Sequence, residues 1–218
     1  MSPIPTKLDH VALSVTDADA VASSILAQLP FRVIEESDRF ILLGRDPERG
    51  KLTLFRADGP RARGVLRHVG IGIPCATAER TIEVGEGLEL YLTPSAPEGE
   101  VELAHVAVFT PHPAASARAW LDVGFEPSPK GVDDVLRVRA GQQHVELWEG
   151  SPERTEHPLL NHLGLLVDSV DDILRTAEEG GEDVRRLVDA ENSRAVFLCG
   201  PDGVEVEYIE HKPSLAHA

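Results

Sequence analysis

Four times along this chain a histidine opens a short strand-like run, and the four runs are near copies of one another. They read His10-Val-Ala-Leu-Ser-Val15, His68-Val-Gly-Ile-Gly-Ile73, His105-Val-Ala-Val-Phe-Thr110 and His162-Leu-Gly-Leu-Leu-Val167. The second and fourth positions are aliphatic, and the third and fifth are mostly small. A period of two puts the aliphatic side chains on one sheet face and the histidine on the other. The positions 10, 68, 105 and 162 leave two long intervals around a short one, so the chain reads as four units with the second truncated. A repeat of this kind constrains the fold before composition does.

Each unit also closes on a shared signature, an apolar-x-apolar run: Leu52-Thr-Leu-Phe55, Leu88-Glu-Leu-Tyr91, Val145-Glu-Leu-Trp148 and Val206-Glu-Tyr-Ile209. Between opening and closing runs, units one, three and four have room for a helix and two strands. In unit one, Asp17 or Asp19 can cap a helix carrying Val21, Ile25 and Leu29. Unit three has Ala117, Trp120 and Leu121 before Gly124. Unit four has Ser169 as cap, then Val170, Ile173, Leu174 and Ala177, stopped by Gly180-Gly181. After Ile73, unit two shows no helical period. Strands are expected at 32–36, 40–43 and 51–56, at 135–139 and 143–148, and at 195–199 and 204–209, the last two joined by a turn at Asp202-Gly203. The expected class is α+β, built from four tandem βαβββ modules of which the second lacks its helix. One unit cannot bury its sheet face alone. The expected pairing is one with two and three with four, giving domains 1–96 and 97–218 joined at the breaker-rich run 93–99.

Composition narrows the function classes. A formal net charge of −16 over 218 residues disfavours nucleic acid and anionic membranes as partners. No run approaches the ~20 apolar residues of a membrane span, and residues 1–7 show no secretory pattern, so the expectation is a cytoplasmic protein. Cys75 and Cys199 make no disulfide framework or zinc spacing, and are read as buried filler.

If paired sheets curl, His105, Glu146, His162 and Glu207 can converge, and two imidazoles with one or two carboxylates are the donor set of a divalent transition metal. One imidazole at a sheet edge is weak support, but four at equivalent positions are not surface drift. His10, His68 and Glu89, with Thr53 in the fourth place, form a competing N-terminal set. His144 shares a face with Glu146 and is a candidate proton-relay group. Trp120 and Trp148 are read as core.

The run Leu8-Asp9-His10-Val11-Ala12, the repeated units and the closing Pro201-Asp-Gly-Val-Glu-Val-Glu-Tyr208 resemble the vicinal oxygen chelate superfamily. Glyoxalase I, methylmalonyl-CoA epimerase, bleomycin and fosfomycin resistance proteins and type I extradiol dioxygenases are members. The resemblance implies paired modules, one divalent metal ion (Fe, Mn, Co, Ni or Zn) and a small substrate that chelates it through adjacent oxygens; it is compatible with a homodimer. Four units look like an extradiol dioxygenase, whose two His and one Glu match His105, His162 and Glu207. That family's acid–base His is replaced near Glu146, with His144 two residues earlier, and its Tyr falls on Phe197. Glyoxalase- and epimerase-like members instead use His and Glu from both units, which His105, Glu146, His162 and Glu207 supply. The expectation is therefore proton transfer by an isomerase or lyase with Glu146 as base; the alternatives are a ferrous ring-cleavage dioxygenase and a non-catalytic small-molecule binder.

Overall fold

The structure is a computed structural model and describes residues 5–131 and 134–212. Unit one runs β1 (Lys7–Val15), α1 (Ala18–Gln28), β2 (Arg32–Glu36), β3 (Phe40–Gly44) and β4 (Lys51–Arg56). Unit two has strands alone: β5 (Leu66–Pro74), β6 (Arg80–Glu83) and β7 (Glu89–Ser95). Unit three runs β8 (Glu102–Thr110), α2 (Pro113–Asp122), β9 (Glu126–Pro127), β10 (Leu136–Ala140) and β11 (Gln143–Glu149). Unit four runs β12 (Leu160–Leu166), α3 (Val170–Gly180), β13 (Val184–Asp189), β14 (Ser193–Cys199) and β15 (Glu205–His211). The α+β class and the βαβββ modules are as the repeat implies.

Local chemistry sets the helix ends. The Asp17 carboxylate accepts from the Ala20 amide at 3.0 Å, and the Ser169 hydroxyl accepts from the Asp172 amide at 3.2 Å. Gly181 ends α3 at φ 69°, a conformation that favours glycine. Trp120 of α2 is fully buried.

The pairing of units differs from the expectation. One sheet has the order β13-β14-β15-β12-β1-β4-β3-β2 and so joins units one and four. The other, β6-β7-β5-β8-β11-β10-β9, joins units two and three. At the two seams β1 runs antiparallel to β12, and β5 antiparallel to β8. The physical reason lies in the breaker run. Its first residues, through Ser95, are still strand, and the remainder is a turn between two strands of one sheet. It reverses the chain so that β8 lies along β5, and the outer units are left to close on each other. A boundary at 96/97 therefore falls inside a sheet.

The alternation holds. Val11, Leu13 and Val15, Val106 and Val108, and Leu163 and Leu165 enter one continuous core with residues from α1, α2 and α3. The four histidines sit on the other faces. The cysteine expectation is corrected, because Cys75 and Cys199 are both exposed: Cys75 stands at φ 60° just beyond the end of β5, and Cys199 ends β14.

Candidate metal centres

A repeated backbone irregularity presents the histidines. Each seam has two register shifts, and each shift leaves one unpaired residue immediately before an opening histidine. On β1 the extra residue is Asp9, on β12 Asn161, on β5 Arg67 and on β8 Ala104. A bulge of this kind re-aims the side chains around it. Opposite the rings the partner strand is bare: His10 pairs with Gly164, and His105 with Gly70. A Cβ at either glycine would lie well inside contact distance of the imidazole.

The four expected ligands do not converge. His162 and Glu207 meet His10 of unit one, while His105 and Glu146 meet His68 of unit two, giving two separate buried His-His-Glu groups. The correction follows from the pairing of units, since each group straddles one seam.

In the first group, His10 Nε2 and His162 Nε2 are 3.1 Å apart, and each lies 3.0 Å from Glu207 Oε2. Metal–ligand bonds of about 2.1 Å at right angles place donors about 3.0 Å apart, so the three atoms already form one face of an octahedron. The outer ring nitrogens are held as well: His10 Nδ1 by Asp9 at 3.0 Å and His162 Nδ1 by the Asn161 carbonyl oxygen at 2.7 Å. Such partners fix the tautomer and ring plane of a ligand histidine. Asp9, 1% exposed, also accepts from Lys51 Nζ at 2.8 Å. Burial opposes charge on His10, but its hydrogen bonds to Asp9 and Glu207 lift it to about 9. Burial pushes His162 down against its bond to Glu207. Glu207 lies well below the usual carboxylate range, because its two histidine partners outweigh the burial that would raise it. Phe55 and Phe197 pack against the His162 ring.

In the second group, His68 Nε2 and His105 Nε2 are 3.0 Å apart, and Glu146 Oε2 is 3.9 Å from His105 Nε2. Glu146 is drawn aside by Arg137, whose Nε donates to Oε1 at 3.0 Å, and by Trp148 Nε1, which donates to Oε2 at 3.0 Å. Burial pushes His68 down to about 4 and His105 down to about 3, so both rings are neutral and have lone pairs to offer. Burial would raise Glu146, but His144, His105, Trp148 and Arg137 hold it well below the usual range. His144 stacks on His105 with centroids 5.0 Å apart, and its buried Nε2 has no hydrogen-bond partner among the described residues. A cleft of about 650 Å³ opens over this group. Its walls include Arg67, Tyr91, Arg137, His144 and Trp148.

The fourth position of each group is not a carboxylate. The closing ligand sits opposite the second residue after the histidine: Ala107 faces Glu146 and Gly164 faces Glu207. By the same rule Ala12 faces Thr53, and Gly70 faces Tyr91. Glu89 is therefore displaced from the expected place; it pairs with Arg63 at 2.7 Å. Tyr91 instead stacks on His68, centroids 4.8 Å apart. Trp148, expected in the core, lines the cleft under Arg67. Sequence reasoning also missed Arg67 and Arg137. Arg67 precedes His68 as Asp9 precedes His10, and Arg137 faces Glu146 across the β10–β11 hairpin; both relations are countable once the pairing is known.

Residues 102–208 match the model of the Glyoxalase/Bleomycin resistance protein/Dioxygenase superfamily. No curated protein matches the chain. Among solved structures it is similar to a provisionally assigned dioxygenase from Bacillus subtilis subsp. subtilis str. 168, at 16% identity over 99% of this chain and 88% of that one, with a TM-score of 0.75. Glyoxalase I from Zea mays gives 15% identity, 94% and 92% coverage and a TM-score of 0.73. The cppA protein from Streptococcus pneumoniae TIGR4 gives 11%, 95% and 99%, and 0.62. At these identities the likeness is one of fold. Residues 102–208 carry the mark of the superfamily, and the chain as a whole has its architecture, with two His-His-Glu groups able to hold metal. No helix among the described residues is long and apolar enough to cross a membrane.

Proposed function

We propose that this chain is a divalent-metal enzyme that holds one ion at each His-His-Glu group, and that it turns over a small substrate in the cleft above His68, His105 and Glu146. The substrate would chelate through two adjacent oxygens. The observation that carries this reading is the donor set, two neutral imidazole nitrogens 3.0 Å apart with a carboxylate beside them, at the floor of a cleft of about 650 Å³. A bound ion would supply Lewis acidity to the chelated oxygens.

The protein's own residues divide the remaining work. Arg137 and Trp148 orient Glu146, and Tyr91 and His144 wall the two imidazoles. His144 is the group placed to hold a substrate proton, because its Nε2 is buried, unpartnered and 3.6 Å from Glu146 Oε1. Glu146 is engaged by a guanidinium and an indole N–H, so the acid–base role first expected of it passes to His144.

For the reaction itself, the set of two histidines and two glutamates that favoured proton transfer does not assemble. Two His and one Glu, with Thr53 or Tyr91 in the fourth place, is the set used with ferrous iron and open positions by oxygenases. We therefore favour dioxygen-dependent cleavage of a chelating ring substrate, in which one carbon–carbon bond breaks and both oxygen atoms enter the product. The unpartnered His144 beside the triad supports proton transfer as the second reading. An oxygen electrode with ferrous-loaded protein and a panel of catechols and 2-hydroxycarbonyl compounds separates them. Oxygen uptake equal to product supports cleavage. Anaerobic turnover with solvent deuterium entering the product overturns it in favour of isomerisation.

A further inference from the structure

Arg67 stands apart from the charge pairing of this chain. Acidic residues outnumber basic ones 37 to 21, and among the described residues the cations without an ion pair are, Lys7 and Arg67 apart, exposed; Lys7 donates to the Glu48 carbonyl oxygen. Arg67 is half-buried in the cleft, makes no ion pair, and donates no hydrogen bond among the described residues. Its guanidinium carbon lies 3.5 Å from the centroid of the Trp148 ring and 5.7 Å from that of Phe109. Stacking holds the plane of the guanidinium and leaves its N–H edge free. The carboxylates sharing the cleft walls are mostly engaged: Glu146 by Arg137, Glu79 by the Tyr91 hydroxyl and Glu100 by Arg45. Glu102 alone of these has neither an ion pair nor a side-chain hydrogen bond among the described residues.

The position of Arg67 sharpens the argument. It is the bulge residue of β5, equivalent to Asp9 on β1 and Asn161 on β12. Those two spend their side chains on fixing His10 and His162. At the second group the same position carries a cation that touches neither histidine's outer nitrogen and lines the cleft instead.

We propose that the cleft takes a chelating substrate bearing a carboxylate, and that Arg67 reads this carboxylate through its free N–H edge while the adjacent oxygens face His68, His105 and Glu146. The proposal rests on the reading of the second group as a metal centre. A planar fork of donors matches a carboxylate in two parallel hydrogen bonds. Arg67 is thus a specificity residue, not a ligand or an acid–base group.

The test uses full-length protein loaded with Co(II), followed by its visible spectrum, and titrated with catechol, 3,4-dihydroxybenzoate and 3,4-dihydroxyphenylacetate. The expected result is that at least one carboxylated probe binds ~10-fold or more tighter than catechol. In Arg67→Met, which keeps a stem over Trp148, this ratio should fall to near one with metal content unchanged, and Arg67→Lys should restore only part of it. A wild type without preference, or a variant that keeps the preference, overturns the role of Arg67 while leaving the metal centre standing. If no probe perturbs the cobalt spectrum, the metal reading of the cleft fails, and the proposal fails with it.

Discussion

Gly70 and Gly164 show how little room the two centres leave. Each faces a histidine across a seam, and each would drive a Cβ into the imidazole. Overpacking of this kind costs about 1–3 kcal/mol, and the ring can escape only by leaving its ligand position. Gly164→Ala should lower the urea midpoint and empty the first group, and Gly70→Ala should do the same for the second. Either variant with full metal and an unchanged midpoint would show that the rings have slack. The histidines also set a pH profile for metal-free protein. His68 and His105 are pushed down to about 4 and 3, so as pH falls below the ordinary histidine value of about 6.5 the unfolded chain takes up protons that the folded one refuses. Their contribution is full above about 6.5 and is lost as pH falls, to about 4 for His68 and to about 3 for His105. His10 has the opposite sign. Raised to about 9, it contributes fully below about 6.5, and this contribution is lost as pH rises through 9. Urea midpoints of metal-free protein should therefore peak near pH 6.5 and decline on both sides. A flat midpoint from pH 6.5 to 4 would mean that the second group is not buried and neutral.

Elements differ in how far they were legible. The strands of units one and four and the caps Asp17 and Ser169 follow from alternation and side-chain chemistry within a few residues, so the sequence carries them. The bulges before each histidine do not, because an extra residue in one strand is visible only against its partner. The same limit hid the closing position of unit two: the run ending at Tyr91 looks like the run ending at Trp148, yet the register puts Tyr91 and not Glu89 opposite the histidine's second neighbour. Unit two also lacks the helix that covers the sheet elsewhere, and β6 at its edge is short and mostly exposed. Protection against hydrogen exchange follows cover and contact. Amides of β6 and the outer half of β7 should exchange well before those of β4, β11 and β15. Equal protection across all four closing strands would show that the helix contributes no bracing.

The arrangement of the whole chain was the least legible, since pairing of neighbours in sequence order and pairing of inner with inner and outer with outer bury the same aliphatic faces. The turn at 96–101 decides between them, and it looks like a linker until β7 and β8 are seen in one sheet. Each sheet draws strands from both sides of residue 96. Fragments 1–96 and 97–218 expressed separately should therefore fail to fold, and should recover native circular dichroism on mixing; two independently cooperative fragments would contradict the topology. The same topology creates two His-His-Glu groups where one metal site was expected, and the count of bound ions tests that difference. Chelator-treated protein reconstituted with Co(II) and freed of excess metal should hold two ions per chain. His162→Ala should keep only the ion at His68, His105 and Glu146, and His105→Ala only the ion at His10, His162 and Glu207. A single ion per chain, lost in both variants, would contradict the account, because it would require His105 and His162 to share one centre.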